Sequence, residues 1–238
     1  MLLRRALDAA AALIAPTEFV RSWYVAHGAP QERLVVLPPA LDDGPATAPR
    51  APRADGVVRF AYVGGLSWQK GVHVLIEAFA GVRGAAELWI AGDELAYPDY
   101  VAGLRAQAGP AVRFLGRLGR EQVWDALAQA DVVVVPSIWY ETFSFLISEA
   151  FSASAPVVAS RLGPLADRVR DGVDGLLVPP GDVAAWRAAL QRLVDDPGLL
   201  ARLRAGVHPP VTLEEHAGDV ERLYTRIRPP ATGRPAGR

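Results

Sequence analysis

From Val57 to Val178 the chain alternates short apolar runs with segments of helical period. The runs are Val57–Val63, Glu87–Ala91, Val112–Leu115, Val132–Pro136, Val157–Ala159 and Gly175–Val178. Helix-period stretches lie near 70–81, 98–108, 120–129, 143–153 and 164–170; only helices follow, at 182–195, 197–206 and 212–227. Strands that are apolar at consecutive positions are covered on both faces, and strands separated by helices are joined in parallel. The pattern predicts an α/β fold, a doubly wound, Rossmann-like parallel sheet with helices on both faces. Ligands bind such sheets beyond the carboxyl ends of the strands.

The flanks differ. Residues 1–44 read as a helix, a strand at Ala12–Ala15, a helix at Phe19–His27, a strand at Leu34–Leu37 and the start of a linker. Residues 45–56 carry almost no bulky apolar group, which is linker composition. The main domain is then 57–211, followed by a helix at 212–228 and a tail at 229–238 expected to be disordered. Arg4 and Arg5 precede an Ala/Leu run, but Asp8 interrupts it and no cleavage region follows, so an amphipathic helix is read there in place of a signal peptide. No stretch reaches the roughly 18 apolar residues of a spanning helix, and the cytoplasm is the expected compartment.

Composition narrows the chemistry. None of the 238 residues is cysteine, which excludes a disulfide framework, a thiolate zinc site, an iron–sulfur cluster and a cysteine nucleophile. Lys and Arg sum to 25 against 26 Asp and Glu, whereas a nucleic-acid binder would carry a basic excess. No nucleic-acid partner is expected. His27, His73, His208 and His216 share no ligand spacing, and no metal is expected. Lys70 is the only lysine.

Two strings carry candidate chemistry. GGLSWQKG, at Gly64–Gly71, follows the first strand of the sheet. Two glycines at a strand end permit a tight turn and close approach to an anion. A helix beginning near Lys70 would point its free amides to the same place, and Lys70 adds a point charge. The string is neither a Walker A loop nor G-x-G-x-x-G, and it reads equally as a plain strand-to-helix turn with a solvated lysine.

ETFSFLISE, at Glu141–Glu149, follows the fourth strand. Phe143, Leu146, Ile147, Ala150 and Phe151 fall on one helical face. Eight residues at helical rise put the two carboxylates about 12 Å apart, beyond the roughly 5–10 Å of a glycosidase pair. That spacing suits an extended ligand held by hydroxyl-rich ends with phosphates between them; it also suits a helix-terminal charge plus a solvated glutamate. Trp68, Trp139 and Tyr140 follow strand ends and could line a pocket there, although packing beneath loops is the expected role for each on its own. Asp182 is placed to cap the next helix.

Read in order, FAYVGGLSWQKGVHVLIEAF, LWIAGD, VRFLGRL, ADVVVVPSIWYETFSFLISEAFSASAPVVAS and LGPLADRVRDGVDGLLVPPGD resemble the retaining glycosyltransferases of family 4, of GT-B fold. The resemblance spans about residues 10–227, and Glu141 and Glu149 match the ends of the family's E-x7-E motif. It implies a C-terminal domain that holds a nucleoside diphosphate sugar and transfer of that sugar to an acceptor hydroxyl with retention. By position, Lys70 would bind the donor diphosphate beside the Gly64–Gly65 loop. Glu141 would bind hydroxyls of the transferred sugar, with the backbone around Phe143 and Ser144. Lys70 and Glu141 are the implied catalytic pair. Glu149 would hold the ribose, and Gly92, Gly116 and Leu118 would flank the base. The resemblance implies no metal or other cofactor, because lysine, amides and a helix N-terminus offset the leaving charge.

Four motifs depart from the family pattern. Its Gly-Arg is Gly64–Gly65, its Glu-x-Phe-Gly ends in Ser144, its Gly-Gly-x-x-Glu is Gly163-Pro164-x-x-Asp167, and the glycine of its Ala-x-Gly-x-Pro is Ser154. The length departs too. Family members have two Rossmann-like halves, and residues 1–44 resemble only the end of the first, with 212–228 the helix that crosses back to it. The expected partners are a nucleotide sugar and a first half or a separate protein supplying it, through which peripheral membrane contact would arise. A non-catalytic nucleotide-sugar-binding subunit and a GT-B-fold epimerase are the rival readings. A phosphorylase would need pyridoxal phosphate on a lysine, and Lys70 sits in the wrong loop for that.

Overall fold

The computed structural model describes residues 2–41 and 55–228. The tail expected at 229–238 and most of the expected linker lie outside these residues. The chain divides into two compact units, Met1–Ala40 with Val211–Arg238, and Leu41–Pro210.

The first unit opens with helix α1 (Leu2–Ala9), strand β1 (Leu13–Ala15), helix α2 (Glu18–Ala26) and strand β2 (Leu34–Val36). β1 and β2 pair in parallel. Thr17 caps α2 by accepting from the Val20 amide at 3.3 Å.

The second unit alternates strand and helix. It comprises β3 (Val58–Val63), α3 (Val72–Phe79), β4 (Ala86–Ala91), α4 (Pro98–Gln107), β5 (Val112–Gly116), α5 (Arg120–Gln129), β6 (Val132–Val135), α6 (Phe145–Ser152), β7 (Val157–Ser160), α7 (Pro164–Arg168) and β8 (Gly175–Val178). Two helices close it, α8 (Val183–Asp195) and α9 (Pro197–Gly206). Asp182 caps α8 as expected, accepting from the Ala185 amide at 2.9 Å. The chain then returns to the first unit as α10 (Leu213–Ile227), which opens on a capping box between Thr212 and Glu215. There the His216 ring nitrogen Nδ1 meets the Pro38 carbonyl at 2.9 Å.

The six strands of the second unit are all parallel, in the order β5-β4-β3-β6-β7-β8. Strand order reverses between β3 and β6, and that reversal opens a crevice at their carboxyl ends. Alternation along the strands sorts the core onto two faces. Phe60, Leu88, Ile90, Val132, Val134 and Val158 pack with α3, α4, α8 and α9. Ala61, Val133, Val135, Val157 and Ala159 pack with α5, α6 and α7. Each fully buried large side chain contributes about 1.5–3 kcal/mol, and both sides of the sheet are sealed, which is why its strands read as unbroken apolar runs.

Helix starts are where the structure departs from the expected pattern. The segment expected as one helix over 70–81 is a 3-10 turn at Trp68–Lys70, then Gly71 at φ 69°, then α3. Likewise α6 starts at Phe145, not 143, because Ser144 stands at φ 69°. Only part of the Glu141–Glu149 spacing is helical, so the 12 Å expectation does not apply.

At its other end α6 closes in a Schellman turn: the Ala155 amide donates to the Ala150 carbonyl at 2.9 Å and the Ser154 amide to that of Phe151 at 3.0 Å. Ser154 holds the left-handed position of that turn, at φ 55°, where glycine is unstrained. Ser154→Gly should therefore stabilise the protein by about 1 kcal/mol. Thermal unfolding checks this, with a midpoint rise of about 2–4 °C expected; an unchanged or lowered midpoint would contradict the assigned strain.

Candidate functional site

Carboxyl ends of β3, β4 and β5 form a backbone ladder. The Gly64 amide donates to the Ala91 carbonyl at 3.0 Å, and the Gly92 amide to that of Gly116 at 2.9 Å. Gly92 lies so close that a Cβ there would run into the Gly64 carbonyl and the Leu66 side chain. The buried Tyr62 hydroxyl donates to the Gly65 carbonyl at 2.7 Å and braces the loop from below. Burial and the nearby Glu141 charge keep that phenol protonated. Above the ladder lies a cavity of about 370 Å³ bounded by Gly64, Gly65, Gly92, Asp93, Arg117 and Leu118, among others. Gly65 has open space around its Cα, so the position has room for the side chain it lacks.

The loop after β3 is strapped to the segment after β6. A Cβ on Gly71 would collide with the Pro136 carbonyl, so only glycine allows this approach. The Ile138 amide donates to the Gln69 carbonyl at 3.0 Å. Lys70, between those two contacts, thereby reaches across the strand-order reversal, and its Nζ donates to Glu141 Oε1 at 2.9 Å. Ser137 Oγ donates to the same carboxylate oxygen. The lysine side chain is 37% exposed and the glutamate 14%. A pair this open to water contributes little stability; it orients a cation and an acceptor-only carboxylate side by side.

Turning into α6, the chain buries Phe143 and sets Ser144 in the left-handed region. Arg168, at the end of α7, lies over the Phe143 ring with its guanidinium carbon 3.7 Å from the centroid. Its Nη2 donates to Ser148 Oγ at 2.7 Å. Desolvation lowers the Arg168 pKa to about 10. Farther along α6, half-buried Glu149 has its pKa raised by desolvation, with Arg120 pulling the other way.

The structure thus gathers the sequence-predicted residues in groups. Gly64, Gly65, Gly92 and Leu118 line one cavity, with Gly116 in the ladder beside it. Lys70 and Glu141 touch, Phe143 and Ser144 form the adjoining turn, and Glu149 lies farther along the helix. Trp68, Trp139 and Tyr140 do not pack beneath loops: they are 59, 64 and 59% exposed. The reason is that the loops they stand on leave the sheet at its open end, and among the described residues Trp68 stacks only on the His73 ring, 6.0 Å away. Sequence reasoning missed Ser137 and Arg168. Ser137 had a usable signal, its place just after a strand end; Arg168 had none, being one arginine in the run DRVRD. Among the described residues no cluster of His, Asp or Glu is arranged to hold a metal, and no helix is long and apolar enough to cross a membrane.

Comparison with known proteins gives the family and the fold. Residues 58–196 match the family described as glycosyl transferases group 1. Glycogen synthase of Mycobacterium tuberculosis is 35% identical over 159 residues, 65% of this chain and 38% of its own length. D-inositol 3-phosphate glycosyltransferase of Nocardia farcinica is 34% identical over 202 residues, 76% of this chain and 45% of its own. The chain thus spans less than half the length of these curated relatives. HepE of Anabaena, solved in complex with UDP-glucose, shares the fold with a TM-score of 0.79 at 22% identity, over 94% of this chain and 67% of HepE. Sucrose-phosphate synthase from Thermosynechococcus elongatus gives 0.74 at 25% identity, over 95% of this chain and 61% of its own. With the family match covering more than half of its length, including both Lys70 and the Glu141–Glu149 segment, the chain belongs to the group 1 glycosyltransferases of GT-B fold.

Proposed function

We propose that this chain binds a nucleoside diphosphate sugar at the carboxyl ends of β3 and β6 and serves transfer of the sugar to an acceptor hydroxyl with retention, the nucleoside diphosphate leaving. The observation that carries this reading is the contact of Lys70 with Glu141 across the strand-order reversal. In the reading, the donor diphosphate lies by the Gly64–Gly65 loop and takes the lysine as its cation. Sugar hydroxyls donate to Glu141, with the backbone of Phe143 and Ser144 beside them. Glu149 accepts from the ribose, and Gly92, Gly116 and Leu118 flank the base. As the glycosidic bond breaks, negative charge grows on the leaving diphosphate, and Lys70 and nearby amides stabilise it most at that moment. The leaving phosphate takes the acceptor proton on the same face.

The reading assigns 57–211 to donor binding, and 1–44 with 212–228 to the acceptor half. Turnover then requires the rest of that half, in this protein or in a partner. Because the chain spans only 38% and 45% of the two relatives' lengths, a second reading stands beside the first, a nucleotide-sugar-binding subunit without activity alone. Turnover by the chain alone would eliminate it.

Calorimetry with UDP-glucose, ADP-glucose and GDP-mannose tests the donor site. The donor that binds should lose about 2 kcal/mol, roughly 30-fold in Kd, on Lys70→Ala. Gly65→Arg should strengthen it, because the open position then carries the cation the family places there. Unchanged affinity in Lys70→Ala would refute the assignment.

Glu149 supplies a test by pH. Burial raises its pKa, so the folded protein holds this proton more tightly than the unfolded chain. The resulting destabilisation is absent below the ordinary glutamate pKa and complete above the raised one. Glu149→Gln should therefore unfold at a higher temperature than the unsubstituted protein at pH 7, with the gain vanishing in acid, while donor binding weakens. A variant that binds the donor with undiminished affinity would remove Glu149 from the site.

A further inference from the structure

Ser144 and Ser154 are the non-glycine residues with positive φ among those described. Ser154 is held by the two hydrogen bonds of its Schellman turn. Ser144 has no comparable restraint of its own. It stands at φ 69° and ψ 87°, and its side chain makes no capping bond, although serine usually occupies a helix start to make one. Its carbonyl accepts from the Ile147 amide only at 3.3 Å.

Arg168 meets this turn at the Phe143 ring and at two carbonyl oxygens. Its guanidinium covers the Phe143 ring, and Nη1 lies 3.5 Å from the carbonyl oxygens of both Phe143 and Ser144. Nη2 reaches into the first turns of α6 to Ser148 Oγ. Stability alone does not explain an arginine here. It has no ion pair among the described residues, its charge is desolvated, and it sits near the positive end of the α6 dipole. Geometry does explain it. A planar fork stacks on a ring and spans several acceptors at once, which a point-charge ammonium cannot do. The base of the clamp is firm, with fully buried Leu165 beneath it and the Val169 amide donating to the Leu165 carbonyl at 3.2 Å.

We propose that Arg168 is a positioning residue for the donor site: it holds the Phe143–Ser144 turn in the left-handed conformation that glycine would adopt unaided. The functional part rests on the donor-site reading above. Arg168 acts through the turn and touches no reacting atom, so its importance is conditional on the residue at 144.

The test is a cycle of Arg168→Met and Ser144→Gly in the full chain, read by calorimetry with UDP-glucose, ADP-glucose and GDP-mannose. Arg168→Met should weaken the donor that binds about tenfold with Ser144 present, and less than about twofold in the Ser144→Gly background. Arg168→Lys, which keeps the charge, should behave like the methionine variant. Equal losses in both backgrounds, or undiminished affinity in Arg168→Met, would overturn the proposal. If the unsubstituted chain binds none of the three donors, the donor reading alone falls, and unfolding midpoints decide the clamp. A larger drop from Arg168→Met with Ser144 than in the Ser144→Gly background upholds it, and equal drops overturn it. Failure of Arg168→Met to fold while Arg168→Met with Ser144→Gly folds and binds would also uphold it.

Discussion

The close approach of Gly71 to the Pro136 carbonyl sets the geometry on which the site depends. Two loops leave the sheet on either side of its strand-order reversal, one after β3 and one after β6. Any side chain at Gly71 would push them apart. With glycine they close on each other, the Ile138 amide bonds to Gln69, and the one lysine of the chain meets Glu141. A parallel sheet makes this meeting possible, because all of its carboxyl ends lie at the same edge. The core is sealed on both faces beneath that edge, and Lys70 and Glu141 stand on the loops beyond it.

The two serines at glycine-like positions show how one chemical departure acquires different consequences. At Ser154 the turn lies behind the helix, its hydrogen bonds are intact, and the strain is simply a loss of stability. At Ser144 the turn follows closely on Glu141, and the Arg168 guanidinium lies against it. Gly65 is the reverse case, a glycine where the family carries a cation, with space left open. The cation that meets Glu141 is Lys70, while Arg168 lies on the Phe143 ring and Arg117 stands exposed at the cavity rim beside Asp93.

Much of the fold was legible in the sequence, for a physical reason. Strands such as Val132–Val135 and Val157–Ser160 are buried on both faces, so burial writes itself into consecutive residues. The starts of α3 and α6 were not legible. Gly71 and Ser144 lie inside continuous helical periodicity, and a left-handed residue changes the backbone path without changing the apolar pattern. Within the site, Lys70 and Glu141 stood out by loop position, and their contact follows from the crevice between β3 and β6. Arg168 was invisible because its role is defined by what lies above it in space. The aromatics at 68, 139 and 140 misled because apolar character predicts burial, whereas loops at the open edge of the sheet leave them in water.

Because Lys70 is the only lysine, lysine labelled with carbon-13 at Cε gives one side-chain resonance, and that resonance reports on this site alone. Titration with UDP-glucose, ADP-glucose and GDP-mannose should move it for the donor that calorimetry shows to bind, with Glu141→Gln altering its starting position. A donor that binds while the Lys70 resonance stays in place would contradict the account.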